Sequence, residues 1–330
     1  MNTKDARIRI GVAGAGMMGR IHIRIINELD GLFKFVGVYD PNQERAKIAE
    51  SYEAKAYSDY QSLLDDVEAV VIACPTSLHK KLALEAAEKN VHVLCEKPVA
   101  ESLSDAKDMY AAFSKKSLKF TVSHVERFNP VVRTISDLVK GLEIVSVEIH
   151  RCSPFDSRIY DVDVVADLMI HDLDIVLNSI FNTEPTTVKA IGRNVFGSKF
   201  VDYAQAALTF PNGAAAFITA SRCTEDKIRT ICIHAKGAYI EGDMLRRTLS
   251  IKRGVSYEEE SDNPKIDYTQ SNVVQQVILM DKNPLKEEIS NFGHAILYDS
   301  EPLIVGEEVI RSMTVLDKVE AELYEGRNNL

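Results

Sequence analysis

Apolar and polar residues alternate from Arg7 to Val12. An apolar spacing of four follows at Ile21, Ile25 and Leu29, with Met18 and Ile26 on the same side. The first pattern predicts a strand and the second a helix. Phe33 to Tyr39 reads as a second strand that ends at Asp40. The alternation continues with a helix over 44–54, a short strand over 56–58 and a short helix over 59–64. Residues 69–74 (AVVIAC) are a continuous apolar run, as expected of a parallel strand buried on both faces. A turn at Pro75, a helix over 78–89, a strand over 91–95, a helix over 102–114 and a strand over 120–125 complete the series. Repeated strand–helix units imply a doubly wound parallel sheet with right-handed crossovers.

After about residue 125 the rhythm changes. A helix over 131–139, a strand over 143–151 and a helix over 164–180 are followed by strands over 188–192, 204–210, 214–220, 228–235, 239–241 and 249–252. Pro211-Asn212-Gly213 is a hairpin turn between two of them. Two helices, over 284–295 and 305–324, end the series. The fold class expected is α/β for residues 1–125, then an α+β domain over 126–330 with a mostly antiparallel open sheet. The uncovered face of such a sheet suits a homodimer or homotetramer interface.

The first strand runs into Gly14-Ala15-Gly16-Met17-Met18-Gly19, and Asp40 closes the second strand. Strand, glycine turn, helix, strand and acid make a dinucleotide-binding fingerprint. Gly14 allows the tight turn, Gly16 lets the backbone approach a pyrophosphate, and Gly19 lets helix and strand pack closely. The helix N-terminus supplies free N–H groups for the diphosphate. A carboxylate at Asp40 accepts hydrogen bonds from ribose hydroxyls and repels a 2′-phosphate, so NAD is preferred to NADP. The competing reading of Asp40 is a cap for a helix beginning near Pro41. Ligands of such sheets lie beyond the carboxyl ends of the strands. Those ends carry Gly14 to Gly19 with Met17 and Met18, Asp40, Cys74 to His79 with Pro75, and Glu96-Lys97-Pro98.

Composition narrows the partners. A net charge of −10 and a pI near 5.4 argue against nucleic acid. The start of the chain lacks an apolar signal core and no apolar run reaches membrane-spanning length, so the expected compartment is the cytoplasm. The five cysteines form no CxxC pair, and most sit in apolar runs as buried thiols.

The predicted helix over 164–180 contains Asp167, His171 and Asp174. At about 100° per residue these share one narrow stripe, with apolar residues on the other sides. Flanking carboxylates favour and orient an imidazolium, which suits an acid/base acting on a hydroxyl or carbonyl. The competing reading is a salt-linked surface stripe. Asp–x₃–His also suits a metal, but no third ligand stands at a convincing spacing, so none is expected. Asp172 falls among the apolar positions and needs a partner: Arg127, Arg151 or backbone N–H groups. Pro98 biases Lys97 towards an extended backbone, from which its amine reaches over the sheet edge to polarise a carbonyl or share an alcohol's proton. His79 could line the cofactor edge or simply start a helix. Arg127, Asn129, Arg151, Arg158 and Tyr160 fall where the two domains should meet, and are the candidates for an anionic part of a substrate.

Gly14 to Gly19, Glu96-Lys97-Pro98 and Asp167–x₃–His171, in that order and spacing, resemble the glucose–fructose oxidoreductase / inositol dehydrogenase / rhizopine-catabolism family. The resemblance spans essentially the whole chain. It implies a Rossmann domain, a C-terminal α+β domain whose open sheet makes oligomers, and NAD(P)-dependent oxidation or reduction of a sugar or cyclitol. By position, Lys97 matches the catalytic lysine, Asp167 and His171 match the inositol-dehydrogenase-type pair, and Asp174 matches a further polyol-binding residue. Residues 124–130 (HVERFNP), 151–155 (RCSPF) and 161–174 resemble a branch that includes UDP-N-acetylglucosamine 3-dehydrogenases. The expected reaction is oxidation of a sugar hydroxyl, with the sugar between the nicotinamide and the Asp167–His171 stripe. His171 takes the proton, Lys97 holds the oxygen and Asp167 orients His171. The alternatives are a dehydrogenase of a free sugar or inositol, and an NAD-sensing regulator without catalysis.

Overall fold

The structure is a computed structural model that describes residues 7–156, 162–197, 200–254 and 272–325. Six parallel strands form one sheet: β1 (Ile8–Ala13), β2 (Phe33–Tyr39), β3 (Lys55–Tyr57), β4 (Ala69–Ile72), β5 (His92–Cys95) and β6 (Phe120–Val122). Their order is β3-β2-β1-β4-β5-β6. The chain runs outward in opposite directions from β1 and β4, so the sheet's topological switch point lies between them. The region expected to be one helix after Pro41 is instead a four-residue helix, Gln43–Ala46, followed by a 3₁₀ turn, Lys47–Tyr52.

Eight strands form the other sheet: β7 (Ile144–Cys152), β8 (Thr187–Arg193), β9 (Tyr203–Thr209), β10 (Ala215–Ser221), β11 (Ile228–Ala235), β12 (Ala238–Asp243), β13 (Thr248–Gly254) and β14 (Asn272–Gln276). The order is β14-β13-β12-β11-β7-β10-β9-β8, and β7–β10 is its parallel pair. The hairpin turn joins β9 to β10, with Gly213 at φ +84°. The sequence pattern does not show β14, because its valines are adjacent rather than alternating and both are exposed.

The contacts divide the chain into two units: residues 1–128 with 282–314, and residues 129–281 with 315–330. This corrects the expected single division at 125/126. The chain returns to the first unit because the helix Pro284–Leu297 puts Leu285, Ile289 and Phe292 into the core of Ile8, Ile10, Ile23, Ile26 and Phe33. Each such side chain contributes roughly 1.5–3 kcal/mol by burial. Gly293 permits the approach, since a Cβ there would lie 2.5 Å from the ring of Phe33.

The predicted helix over 164–180 is continuous but not uniform. It is π-helical over Val165–Met169, α-helical over Ile170–Asp174 and π-helical again over Ile175–Ile180.

Candidate active site

In the first unit, four loops meet at the carboxyl ends of the parallel strands. Gly14 has φ +101°, and a Cβ there would stand 2.4 Å from the carbonyl of Ala73. A Cβ on Gly19 would stand 1.9 Å from the carbonyl of Gly14. Only glycine fits either position. Gly16 is different: a Cβ there meets nothing within 4 Å. It begins the helix Met17–Glu28, whose first turn has neither a side-chain cap nor an acid. Met17 is exposed and Met18 half-buried beside it. An uncapped helix start behind a turn without side chains fits a diphosphate.

Asp40 ties this turn to β2. Its Oδ2 accepts from the Ala15 N–H at 2.8 Å and its Oδ1 from the Asn42 N–H at 2.8 Å. A carboxylate has about four acceptor positions, so acceptor capacity remains for ribose hydroxyls. The helix after Pro41 is capped by Asn42, whose Oδ1 accepts from Glu44 and Arg45, and not by Asp40. The residues therefore fit the adenosine half of a dinucleotide.

The β4 and β5 loops are locked together. His79 is buried, with Nε2 at 2.9 Å from the carbonyl of Cys74 and Nδ1 at 3.0 Å from that of Pro98. Both ring nitrogens are thus engaged by backbone. The ring is a strut between the two loops. Burial holds its pKa below the ordinary imidazole value, against the pull of the backbone carbonyls. Burial also pushes the Cys74 thiol up to about 12, so it stays protonated beside Pro75. Lys97 is half-buried on the turn between them, next to the buried Glu96.

In the second unit, Asp167 and His171 are half-buried while residues 172–178 of the same helix are buried. Asp174 is only 1 % exposed and accepts from Asn178 Nδ2 at 2.8 Å. It does not share the open stripe, which corrects the expectation from angle alone. The step from His171 to Asp174 is α-helical, but Asp174 stands on the buried part of the helix, where Asn178 one turn on holds its carboxylate. The open stripe carries Asp167 and His171. Arg222, directly after β10 and 3 % exposed, donates from Nη2 to Asp167 Oδ2 at 3.0 Å and from Nη1 to the carbonyl of Val162.

Asp172 is wholly buried, and Arg151 meets it through Nε and Nη2, the latter at 2.7 Å. That is one of the partners expected for it. The described members of the expected anion-binding group each have partners within their own unit. Arg151 is buried in this pair, Arg127 bonds Glu308 at 3.2 Å, and Asn129 caps the helix Pro130–Leu138 while donating to the carbonyl of Met244. Each therefore already bonds a protein group: Asp172, the half-buried Glu308 and the Met244 carbonyl respectively. Arg158 and Tyr160 lie outside the described residues. Among the described residues, no group of three or more His, Cys, Asp or Glu is placed to hold a metal ion. None of their helices is long and apolar enough to cross a membrane.

Three residues that bear on the site have no motif: Arg222, His22 and Glu288. His22 and Glu288 sit on the buried stripes of their helices, beside Ile23 and Ile26 and beside Ile289 and Phe292. A polar residue on an apolar stripe is the signal that marks Asp172, and it marks these two as well. Arg222 has no such signal, since its partner lies far away in sequence.

Known proteins resemble this chain over both units. Residues 8–124 match the model of the oxidoreductase family with an NAD-binding Rossmann fold, and residues 143–241 match the GFO/IDH/MocA C-terminal domain. UDP-N-acetylglucosamine 3-dehydrogenase of Acidithiobacillus ferrooxidans is 34 % identical over 74 % of this chain and 76 % of its own length. A solved structure of that enzyme superposes with a TM-score of 0.87 at 29 % identity, covering 96 % of this chain and 97 % of the other. An inositol 2-dehydrogenase of Acidothermus cellulolyticus is 29 % identical over 57 % of each chain. A levoglucosan dehydrogenase solved with NADH shares the fold, with a TM-score of 0.81 at 20 % identity over 97 % of each chain. The glycine turn, the Lys97 turn and the Asp167–His171 stripe thus belong to a member of the NAD-binding Gfo/Idh/MocA oxidoreductase family.

Proposed function

We propose that the protein oxidises one hydroxyl of a nucleotide sugar to a ketone, in the manner of a UDP-N-acetylglucosamine 3-dehydrogenase. The observation that carries this reading is that Asp167 and His171 stay half-buried, one turn apart, on a helix whose residues 172–178 are buried. An acid and an imidazole that stay half-buried there can meet a ligand, whereas the sealed Asp172 on the same helix cannot.

NAD, when bound, supplies the acceptor for the hydride that leaves the sugar carbon. The turn from Gly14 to Gly19 binds its diphosphate, and Asp40 orients the adenosine ribose. Lys97 holds the reacting oxygen and stabilises the charge that develops on it. His171 accepts the hydroxyl proton through a ring nitrogen. Asp167, itself fixed by Arg222 at 3.0 Å, orients His171. The relative 34 % identical to this chain, which carries a nucleotide-sugar name, supports the choice of substrate.

A second reading, a free sugar or inositol, is favoured by the burial of Arg127 and Arg151, which leaves them unable to serve a diphosphate. A substrate screen separates the two. With NAD, the first reading expects reduced-nicotinamide absorbance to grow with UDP-N-acetylglucosamine and not with inositol, glucose or levoglucosan. Turnover of the free polyols alone would reverse the choice, and no absorbance change with any of them would favour a sensor.

We also propose assembly of copies through the eight-stranded sheet. Val145, Ile191 and Phe217 are exposed on its strands, whereas Val147, Ile149 and Ile218 are buried. Light scattering should give at least a dimer, and Phe217→Glu should dissociate it. The five described cysteines are unpaired, which suits the cytoplasm.

A further inference from the structure

We propose that His22 is a positioning residue for Lys97, acting through the carboxylate of Glu96; this rests on the role given to Lys97 above. Glu96 follows β5 and is 8 % exposed. Its Oε1 lies 2.7 Å from Nε2 of His22, and its Oε2 accepts from the backbone N–H of Lys97 at 3.2 Å. One carboxylate therefore bonds a wholly buried imidazole on one side and the Lys97 backbone on the other. His22 stands on the helix Met17–Glu28, three residues after Gly19. The helix whose start fits the diphosphate thus reaches, one turn on, the turn that presents Lys97. Pro98, on the far side of Lys97, is held by His79.

The surroundings keep the negative charge on Glu96. Burial pushes its carboxyl up, but the His22 hydrogen bond, the charges of His22 and Lys97 and the Lys97 N–H together leave it below the ordinary carboxylate range. Glu288, 2 % exposed and bonded by Ser123 Oγ at 2.8 Å, is pushed far up by burial and then by the charge of Glu96. It keeps its proton and leaves Glu96 as the charged member. A buried carboxylate bonded to an imidazole is seldom the cheapest way to join a helix to a sheet. Its geometric specificity is what an apolar contact would not supply. Gln at position 22 places an amide N–H where Nε2 now lies, so His22→Gln retains the bond to Glu96 while His22→Ala removes it.

The test uses the full-length protein with NAD and UDP-N-acetylglucosamine, and reads turnover, NAD affinity and hydrogen exchange of the Lys97 amide. In His22→Ala, kcat should fall about 10- to 100-fold, as misplacement of a reacting group does. KM and the NAD Kd should move less than about threefold, and the Lys97 amide should exchange faster. His22→Gln should restore most of both losses. If His22→Ala does not fold, His22→Asn, whose amide stops short of Glu96, is read in its place. Wild-type turnover in the variant lacking the bond, an unchanged Lys97 exchange rate, or equal loss in the Gln variant would overturn the proposal. Absence of wild-type turnover on the nucleotide sugar would instead refute the proposed substrate, and Lys97 exchange alone would then decide the role of His22.

Discussion

Two aspartates of one helix in the second unit pair with arginines, and the two pairs are not equivalent. Arg151 and Asp172 are both shut away from solvent, with two guanidinium nitrogens on one carboxylate. Arg222 is as deeply buried, but its partner Asp167 keeps 18 % of its side chain exposed, one turn before the half-buried His171. The chemistry of the two pairs is the same. What separates scaffold from site is whether the carboxylate has an open side. An ion pair sealed on all sides fixes how helix and sheet meet, whereas one with an open edge holds an acid in place for something that arrives from outside.

The comparison breaks most sharply at the sealed pair. Asp172→Ala should cost about 3–5 kcal/mol of stability by leaving the Arg151 charge buried alone. Arg151→Met with Asp172→Leu should recover much of that loss. Urea titration checks both, and an Asp172→Ala protein as stable as wild type would dissolve the distinction. At the open pair the order of effects reverses. Asp167→Asn should cost only about 1–3 kcal/mol of stability but should depress turnover about 100-fold, in the range of lost acid/base assistance. Equal effects of Asp167→Asn and Asp172→Ala on folding and on kcat would erase the contrast.

The first unit offers smaller versions of the same contrast. Asp40, spanning Ala15 and Asn42, should act on the cofactor: Asp40→Ala is expected to weaken NAD about tenfold, roughly 1.4 kcal/mol, with NADP affected less. Fluorescence titration with the two dinucleotides reads it. Glu288 is the sealed counterpart. Its folded pKa is raised by burial and then by Glu96, so above the unfolded value the native state holds one more proton than the unfolded chain. Stability therefore falls as pH rises from the ordinary carboxylate range towards the folded pKa. Glu288→Gln should lose less Tm than wild type between pH 5 and pH 8 on the order of a few degrees; identical slopes would mean that Glu288 does not carry the proton.

Local pattern carried the strand–helix series, the glycine turn and Asp40, because the backbone carbonyls of Ala73 and Gly14 leave no room for a side chain at Gly14 and Gly19. The polar residue stranded on an apolar face was legible too, and Asp172 found Arg151. What the sequence did not show depends on distance or on depth of burial. Arg222 meets an acid 55 residues earlier. Arg127, a candidate for anion binding, bonds Glu308 from a helix 181 residues later. A returning helix moves residues 282–314 into the first unit. Asp174 falls on the stripe by angle but lies on the buried part of the helix, which angle alone does not show.

The central proposal gives Lys97 the developing charge and His171 the proton of a sugar hydroxyl. Steady-state growth of reduced-nicotinamide absorbance with UDP-N-acetylglucosamine, read in wild type, Lys97→Ala and His171→Ala alongside NAD binding, tests it most directly. The expected result is a fall in kcat of about 100-fold or more in each variant with NAD affinity within about threefold of wild type. Near-normal turnover in either variant would contradict it.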